Sequence, residues 1–488
     1  MGAGSKTRVG RCAALATWAA ACGCTLAPEY RQPSLPVADE YPTGRAYEAS
    51  HGAGELAATE IGWRDFLADP RLQQLVEIAL TNNRDLRIAL LNVELLRAAF
   101  RIQAAELYPQ IGAQTLDERM RTPLDFGPQS AALSPRPRSY SVGLTAAWEI
   151  DVFGRLRSLE GAALEQFLAS IQARKAAQIL LVSQVADQYL TLLAADELLE
   201  VTQRTLDADV ASYDLVKLQF ETGAATELDL KQAETAVEQA RSNRAAQLRA
   251  RAQAENGLVQ LLGQPLPSPV TGGKRLGDQN ILADIPAGLP SQLLTRRPDV
   301  LQAEALLRSA NANIGAARAA FFPSFSLTGT GGTASGKLGE LFTAGSAAWS
   351  LTSAIQLPIF NAGALAAELD TALVNRDISI ARYQLTIQEA FREVADGLAA
   401  RGTFDEQISA LERFTAAQRR RLELAQLLYK NGQASYLDVL TAQTDLYDAE
   451  LVLVGARLQR LTNLVDLYRA LGGGWIERTG DHPRRGDE

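Results

Sequence analysis

Apolar and polar residues alternate with a period of two along two stretches of this chain. Between residues 140 and 152, Tyr140, Val142, Leu144, Ala146, Trp148, Ile150 and Val152 fall on one side. Ser141, Gly143, Thr145, Ala147, Glu149 and Asp151 fall on the other. Further on, Trp349, Leu351, Ser353, Ile355, Leu357 and Ile359 oppose Ser350, Thr352, Ala354 and Gln356. A period of two predicts strands whose faces meet different surroundings. Two further strands are predicted over residues 110–121 and 324–330, each just after a proline, Pro109 or Pro323, that stops a helix. A Pro-rich loop over 123–137 and a Gly-rich loop over 331–345 connect the strands in pairs.

Elsewhere the period lengthens to three and four. Ile179, Val182, Ala186, Tyr189 and Leu193 mark one helical stripe, and Tyr383, Ile387, Phe391, Val394 and Leu398 another. They predict helices over 154–220 and 363–429. At 1.5 Å per residue each would reach ~100 Å, longer than an ordinary domain is wide, which calls for an extended bundle or coiled coil. Shorter helices are predicted over 69–107, with a possible break at Thr81-Asn82-Asn83, and over 226–262, 299–321 and 435–471. The tally is four strands, two long helices and four shorter ones.

The second half repeats the first. Phe220-Glu221-Thr222-Gly223 matches Tyr429-Lys430-Asn431-Gly432 at an offset of 209 (432 − 223). The offset holds from Val185 against Val394 to Gly263 against Gly472. Two copies of one strand-and-helix module form one pseudo-symmetric body, with function expected on the axis they share.

Composition narrows the function. Apolar residues are 47% of the 488, dominated by alanine, and aromatics only 6%, which suits closely packed long helices. A net charge of −8 leaves no basic stripe for nucleic acid. All three cysteines, Cys12, Cys22 and Cys24, precede residue 25, and the two histidines, His51 and His482, lie in polar flanks. No thiolate or His cluster and no Ser-His-Asp set can be assembled from these, so neither an enzyme nor a metal or other cofactor is expected. Lys6, Arg8 and Arg11 followed by apolar residues 12–21 read as a targeting segment. It is shorter than the about 20 apolar residues of a membrane-spanning helix. A membrane crossing would therefore use a β-barrel. Four strands leave two unpaired edges, and bacterial barrels start at about 8 strands, which two or three chains could supply.

Several stretches resemble the TolC/OprM-like outer-membrane factors, and within them the NodT family of efflux lipoproteins. They are Cys24-Thr25-Leu26-Ala27-Pro28-Glu29-Tyr30, Arg296-Arg297-Pro298-Asp299-Val300, residues 310–323 (ANANIGAARAAFFP), and Ala470-Leu471-Gly472-Gly473-Gly474-Trp475. The resemblance implies an α+β membrane protein: a homotrimer with a twelve-stranded outer-membrane β-barrel continuous with a long periplasmic α-helical barrel. It divides the chain into a signal peptide (1–23), a lipidated and equatorial segment (24–68), a first repeat (69–263), a linker (264–297), a second repeat (298–472) and a tail (473–488). An equatorial belt would draw on residues near 31–66, 263–297 and 472–488. Cys24 would carry the lipid, the sole covalent addition. Ala21 departs from the usual leucine three before the cysteine, and Cys22 is a second acceptor. Thr25 favours the outer membrane. The partners would be a periplasmic adaptor (membrane fusion protein), an inner-membrane pump of the RND type and outer-membrane lipid, with drugs or other small solutes as cargo. A type I secretion duct and a non-pore periplasmic coiled-coil scaffold are the alternatives. Alternation places Val142, Leu144, Trp148, Leu351, Ile355 and Leu357 toward lipid, and Ser141, Thr145, Thr352 and Gln356 toward the lumen. Trp148, Trp349, Phe153 and Phe360 would form the aromatic girdles.

The turns at Gly223 and Gly432 would form the periplasmic tip and contact the adaptor. After them, Thr226-Glu227-Leu228-Asp229 and Ser435-Tyr436-Leu437-Asp438 both fit the capping box. Helix capping explains Asp229 and Asp438 structurally. The resemblance adds a gate, to which Asp229 also belongs: Asp438 matches an acid ring, Thr441 stands where a second acid would be, and Tyr429 matches a closing tyrosine. Ala434 replaces an arginine found in some members, and Leu437 would supply a hydrophobic constriction.

Overall fold

A computed structural model describes residues 25–47, 56–119, 138–267, 274–282, 285–286 and 290–481. The targeting segment, Cys24, Cys22 and the 123–137 loop lie outside the described residues. The helices in chain order are α1 (Trp63–Phe66), α2 (Pro70–Asn82), α3 (Arg84–Ala105), α4 (Arg155–Glu221), α5 (Glu227–Leu262), α6 (Leu293–Arg296), α7 (Pro298–Ala319), α8 (Ala364–Lys430) and α9 (Tyr436–Ala470). The strands are β1 (Gln110–Arg119), β2 (Arg138–Ile150), β3 (Ser324–Ser335) and β4 (Ala347–Gln356). The chain divides into two compact units. One takes residues up to Pro33, Val93–Ser170 and Ala303–Tyr383; the other takes Ser34–Asn92, Ile171–Gln302 and Gln384 onward.

Duplication runs deeper than the sequence match. α4 and α8 are both 67 residues long, and their first residues differ by 209 (364 − 155). α3 and α7 are both 22 residues long, but here the offset is 214 (298 − 84). Gln110 pairs with Ala147, and Ser324 with Gln356, so offsets of 214 and 209 meet within one hairpin. The five-residue difference therefore falls entirely in the connection between the paired strands, and register is kept in both copies.

The first unit holds the sheet, antiparallel throughout, in the order β1-β2-β3-β4. β3 is longer than the sequence predicts. Residues 331–335, read as the start of a Gly-rich loop, continue the ladder. Gly332 stands opposite Gly143, where a Cβ would fall on the Val142 carbonyl. The glycine serves close strand approach, not a turn.

In the second unit, segments from both ends of the chain and from its middle are stitched together. The Trp63 and Arg64 amides donate to the carbonyls of Ile476 (3.0 Å) and Glu477 (3.1 Å), and the Leu282 amide donates to Phe66 (3.2 Å). Phe66 stacks on Tyr468 at 3.9 Å, and the Tyr468 hydroxyl donates to the Ile61 carbonyl at 2.6 Å. Buried Asp69 accepts from the Tyr189 hydroxyl (3.1 Å) and the Gln279 amide (3.0 Å). Arg297, buried, pairs with Asp299 and Glu393 and donates to the Ala470 carbonyl (3.0 Å). The Arg-Pro-Asp stretch is thus a structural clasp. The predicted break in the first helix is real: Asn83 leaves helical geometry, its Oδ1 accepts from the Leu86 amide (2.9 Å), and its Nδ2 donates to the Leu261 carbonyl (2.9 Å). With this split and the short α1 and α6, the described residues hold more short helices than the four expected.

Candidate functional site: amphipathic sheet and hairpin tips

Residues directly opposed across an antiparallel pair share a face. Register therefore tests the alternation. Leu144 stands opposite Gly331, which stands opposite Trp349; Trp148 stands opposite Leu327. Phe325 pairs with Ile355, and Gly329 with Leu351. This face is thus apolar at the end of the sheet that holds Ile111, Ala113, Leu144, Trp148, Phe325 and Ile355, while Thr115, Asp117 and Arg119 of β1 lie on it toward the other end. Trp349, Leu351 and Ile355 are 81%, 65% and 68% exposed on it. The opposite face carries Thr145 against Thr330 against Ser350, with a 2.7 Å hydrogen bond between the last two hydroxyls. Ser141, Thr352 and Gln356 lie on that face too. Leu357 falls one residue beyond β4. At the sheet's end, the Trp148 indole N–H donates to the Leu107 carbonyl (3.0 Å) and Phe153 stacks on Phe322 at 4.7 Å.

The helical hairpins of the second unit end in two tips. Gly223 (φ +75°) and Gly432 (φ +69°) adopt the left-handed conformation that lets each helix close its last carbonyls and reverse. The Ala224 amide donates to Gln219 (2.7 Å), and the Gln433 amide donates to Leu428 (2.9 Å). Both capping boxes form. Asp229 Oδ2 accepts from the Thr226 amide (3.0 Å) and hydroxyl (2.7 Å); Asp438 Oδ2 accepts from those of Ser435 at the same two distances.

The tips then diverge. Bonds from the Ser435 side chain and backbone hold the Asp438 carboxyl below its usual range, with the Arg421 charge assisting. Arg421 itself pairs with Asp445. Asp445 lies seven residues past Asp438 and four past Thr441, on the same helical face. Thr441 spends its hydroxyl on the Leu437 carbonyl (2.8 Å), and Leu437 is exposed. Tyr429 donates to Gln219 Oε1 (2.7 Å), and Tyr436 donates to Ser212 (3.2 Å). Their rings meet at 5.7 Å over Val216 and Ala233. The structure thus brings Tyr429 to the first hairpin, and places Asp438, Leu437 and Thr441 together on the second. Sequence reading missed Gln219, Ser212, Arg421 and Asp445. Only the seven-residue step from Asp438 to Asp445 was visible in the sequence. It also missed Asp209, buried on α4, whose carboxyl is pushed up to about 6 by burial alone. Among the described residues, no helix is long and apolar enough to cross a membrane and no group of His, Cys, Asp and Glu is arranged for a metal.

An antiparallel sheet with an exposed apolar band on one face and hydroxyls on the other, followed in the chain by long paired helical hairpins, defines a protomer of an outer-membrane channel. The chain belongs to the family described as outer membrane efflux protein, which it matches over residues 75–264 and 289–473. It is 47% identical over 458 residues to the toluene efflux pump outer membrane protein TtgC of Pseudomonas putida, covering 94% of each chain. The same identity and coverage hold for the antibiotic efflux pump outer membrane protein ArpC, also of Pseudomonas putida. Among solved structures, the open state of the Neisseria gonorrhoeae MtrE outer membrane channel superposes with a TM-score of 0.82 at 38% identity, over 94% of this chain and 100% of that one. The protein is the outer-membrane channel of a tripartite efflux system.

Proposed function

We propose that three copies close their sheets into one twelve-stranded barrel above a periplasmic helical barrel. Through this duct, small toxic compounds leave the cell passively. The observation that carries this reading is the sheet itself: among the described residues it ends at β1 and β4, and one face presents exposed apolar side chains from Ile111 through Leu144 to Trp349, Leu351 and Ile355. Unpaired edges are untenable in lipid, so copies must supply each other's missing neighbours. A coiled-coil scaffold needs no such sheet. The relatives' names, for toluene and antibiotic efflux, point to solvents and drugs as cargo. Selection among them belongs to an inner-membrane pump of the RND type and its adaptor, which would reach the duct at the Gly223 and Gly432 turns.

The proposed lipid anchor at Cys24, after removal of residues 1–23, agrees with how the next residues are held. Arg318 donates to the Leu26 carbonyl (3.2 Å), Asn311 to that of Pro28 (2.7 Å), and Tyr30 to Glu304 (3.0 Å). The strap thus descends α7 from its C-terminal end, so residue 25 starts beside the end that leads into β3. An acyl chain on Cys24 would begin at the foot of the barrel. At the tip, Asp438, Leu437, Thr441 and Tyr429 form the gate, and Asp229 serves as the cap of the static partner.

Native mass spectrometry of the detergent-purified protein, followed by planar-bilayer recording, tests the assembly. A trimer mass with ion conductance is expected. A monomer or dimer without conductance would overturn the reading. Palmitate labelling of wild type and Cys24→Ala tests the anchor; label persisting in the variant would move it to Cys22.

A further inference from the structure

Near the tips, α4, α5 and α9 enclose an open groove of about 470 Å³. Asp209 lines it, yet is only 6% exposed. No hydrogen bond or ion pair reaches its carboxylate among the described residues, and burial alone raises its protonation range. A buried, unpaired carboxylate is costly, and a cation in the groove would relieve that cost. The charged side chains lining the groove are Asp209 from α4 and Lys231 from α5; α9 contributes only uncharged ones. Lys231 is engaged elsewhere, with Glu234 at 2.7 Å, and its side chain is 63% exposed. The remaining wall offers an apolar body site: Leu228, Ala236 and Leu440 beside the Tyr447 ring, whose hydroxyl is fixed to Thr202 at 3.1 Å. The volume falls in the range of small-molecule sites, about 300–1,000 Å³. The repeat supports a special role. The position matching Asp209 in the second copy is Gln418, which is uncharged. Nothing in the duplicated architecture therefore requires an acid here.

We propose that this groove is a binding site for an organic cation with an apolar body, its ammonium against Asp209 and its hydrocarbon part against Leu228, Leu440 and Tyr447. The site lies within one chain and does not depend on the gate. It gives the tip a resting place for positively charged amphiphiles.

Equilibrium dialysis with labelled benzyltrimethylammonium, on the full-length protein in lipid nanodiscs, tests it. Neopentylbenzene, the neutral isostere, serves as control. Saturable binding of one cation per chain is expected at pH 7.5, with no saturable uptake of the isostere. Asp209→Asn should weaken it at least tenfold. Lowering the pH to 5 should weaken it by about tenfold as the carboxylate takes a proton near 6. Ala236→Lys, which places a tethered ammonium in the groove, should abolish it. Equal binding by Asp209→Asn, or affinity unchanged between pH 7.5 and 5, would overturn the proposal. So would a wild-type protein that conducts but shows no saturable cation binding. Lys231→Met separates a last case: if Lys231 neutralises Asp209 in solution, only this variant binds the probe, and the proposal falls.

Discussion

At the first tip Thr226 and Asp229 close the helix cap; at the second Ser435 and Asp438 do so through the same atoms. Around these shared caps, Leu228 and Leu437 also match, but several polar and aromatic positions differ. Arg421 in the second copy corresponds to Ser212 in the first, Asp445 to Ala236, and buried Tyr436 to exposed Glu227. The second tip therefore projects its tyrosines into the first and carries the Arg421–Asp445 pair, for which the first has no equivalent. What both copies keep is the hardware of a helical turn. What only one keeps points to a task beyond folding, which supports the proposal that the second hairpin carries the gate.

The comparison can be broken or sharpened by substitution. The largest effect is expected from Tyr436→Ala, which should empty a packed site at a cost of about 3 kcal/mol. Glu227→Ala, its counterpart, should cost almost nothing. Hydrogen exchange of residues 212–236 reads both, and equal exchange in the two variants would remove the asymmetry. Asp209→Asn comes next. The folded carboxyl titrates near 6, above its usual 3.8, so its ionisation opposes folding, and that penalty grows as pH rises from 3.8 through 6. A shift of about 2 units corresponds to roughly 2–3 kcal/mol. The variant should therefore melt higher than wild type at pH 7.5 and lose that advantage toward pH 4. Gln418→Glu sharpens the contrast by placing an acid at the matched site in the other copy.

Smaller and symmetric effects are expected at the caps. Thr226→Ala and Ser435→Ala should each cost about 1 kcal/mol, visible as fraying of the first turns of α5 and α9. A clear inequality between them would mean that a cap does more than close a helix. Asp438 has a lowered range, so its contribution is present above the unfolded value and lost only as pH falls through the folded one. Protection of the second cap should stay flat from pH 7 to 5 and fail only once the pH falls below the ordinary carboxylate range. The smallest stability change belongs to Arg421→Ala, whose pair with Asp445 is half exposed and is worth at most about 1 kcal/mol. Single-channel recording should nonetheless show a higher conductance or altered cation selectivity, as for Asp438→Ala. A silent current in both variants would return Asp438 to capping alone.

Much of this was legible in the chain because it is written locally. Alternation in residues 140–152 and 349–359 gave the strands and their faces, and glycine followed by a Ser or Thr cap gave both tips. The extension of β3 was not legible, because Gly331 and Gly332 look like a turn unless the opposing Gly143 is known. Gln219 and Ser212 were hidden for a related reason: each acts on a tyrosine more than 200 positions away (429 − 219 = 210; 436 − 212 = 224). Asp209 looked like one more polar residue on a long helix, since burial is a property of neighbours and not of spacing.

The sheet's consecutive order has a kinetic consequence. Hairpin helices satisfy their own backbone and form at a rate indifferent to how many chains are present. The proposed wall of three partial sheets cannot: a solitary newcomer exposes greasy side chains and bare ladder edges that suit neither water nor lipid. Barrel completion should therefore climb steeply with the local density of newly delivered chains, and dilution should strand them as unfinished intermediates vulnerable to proteases.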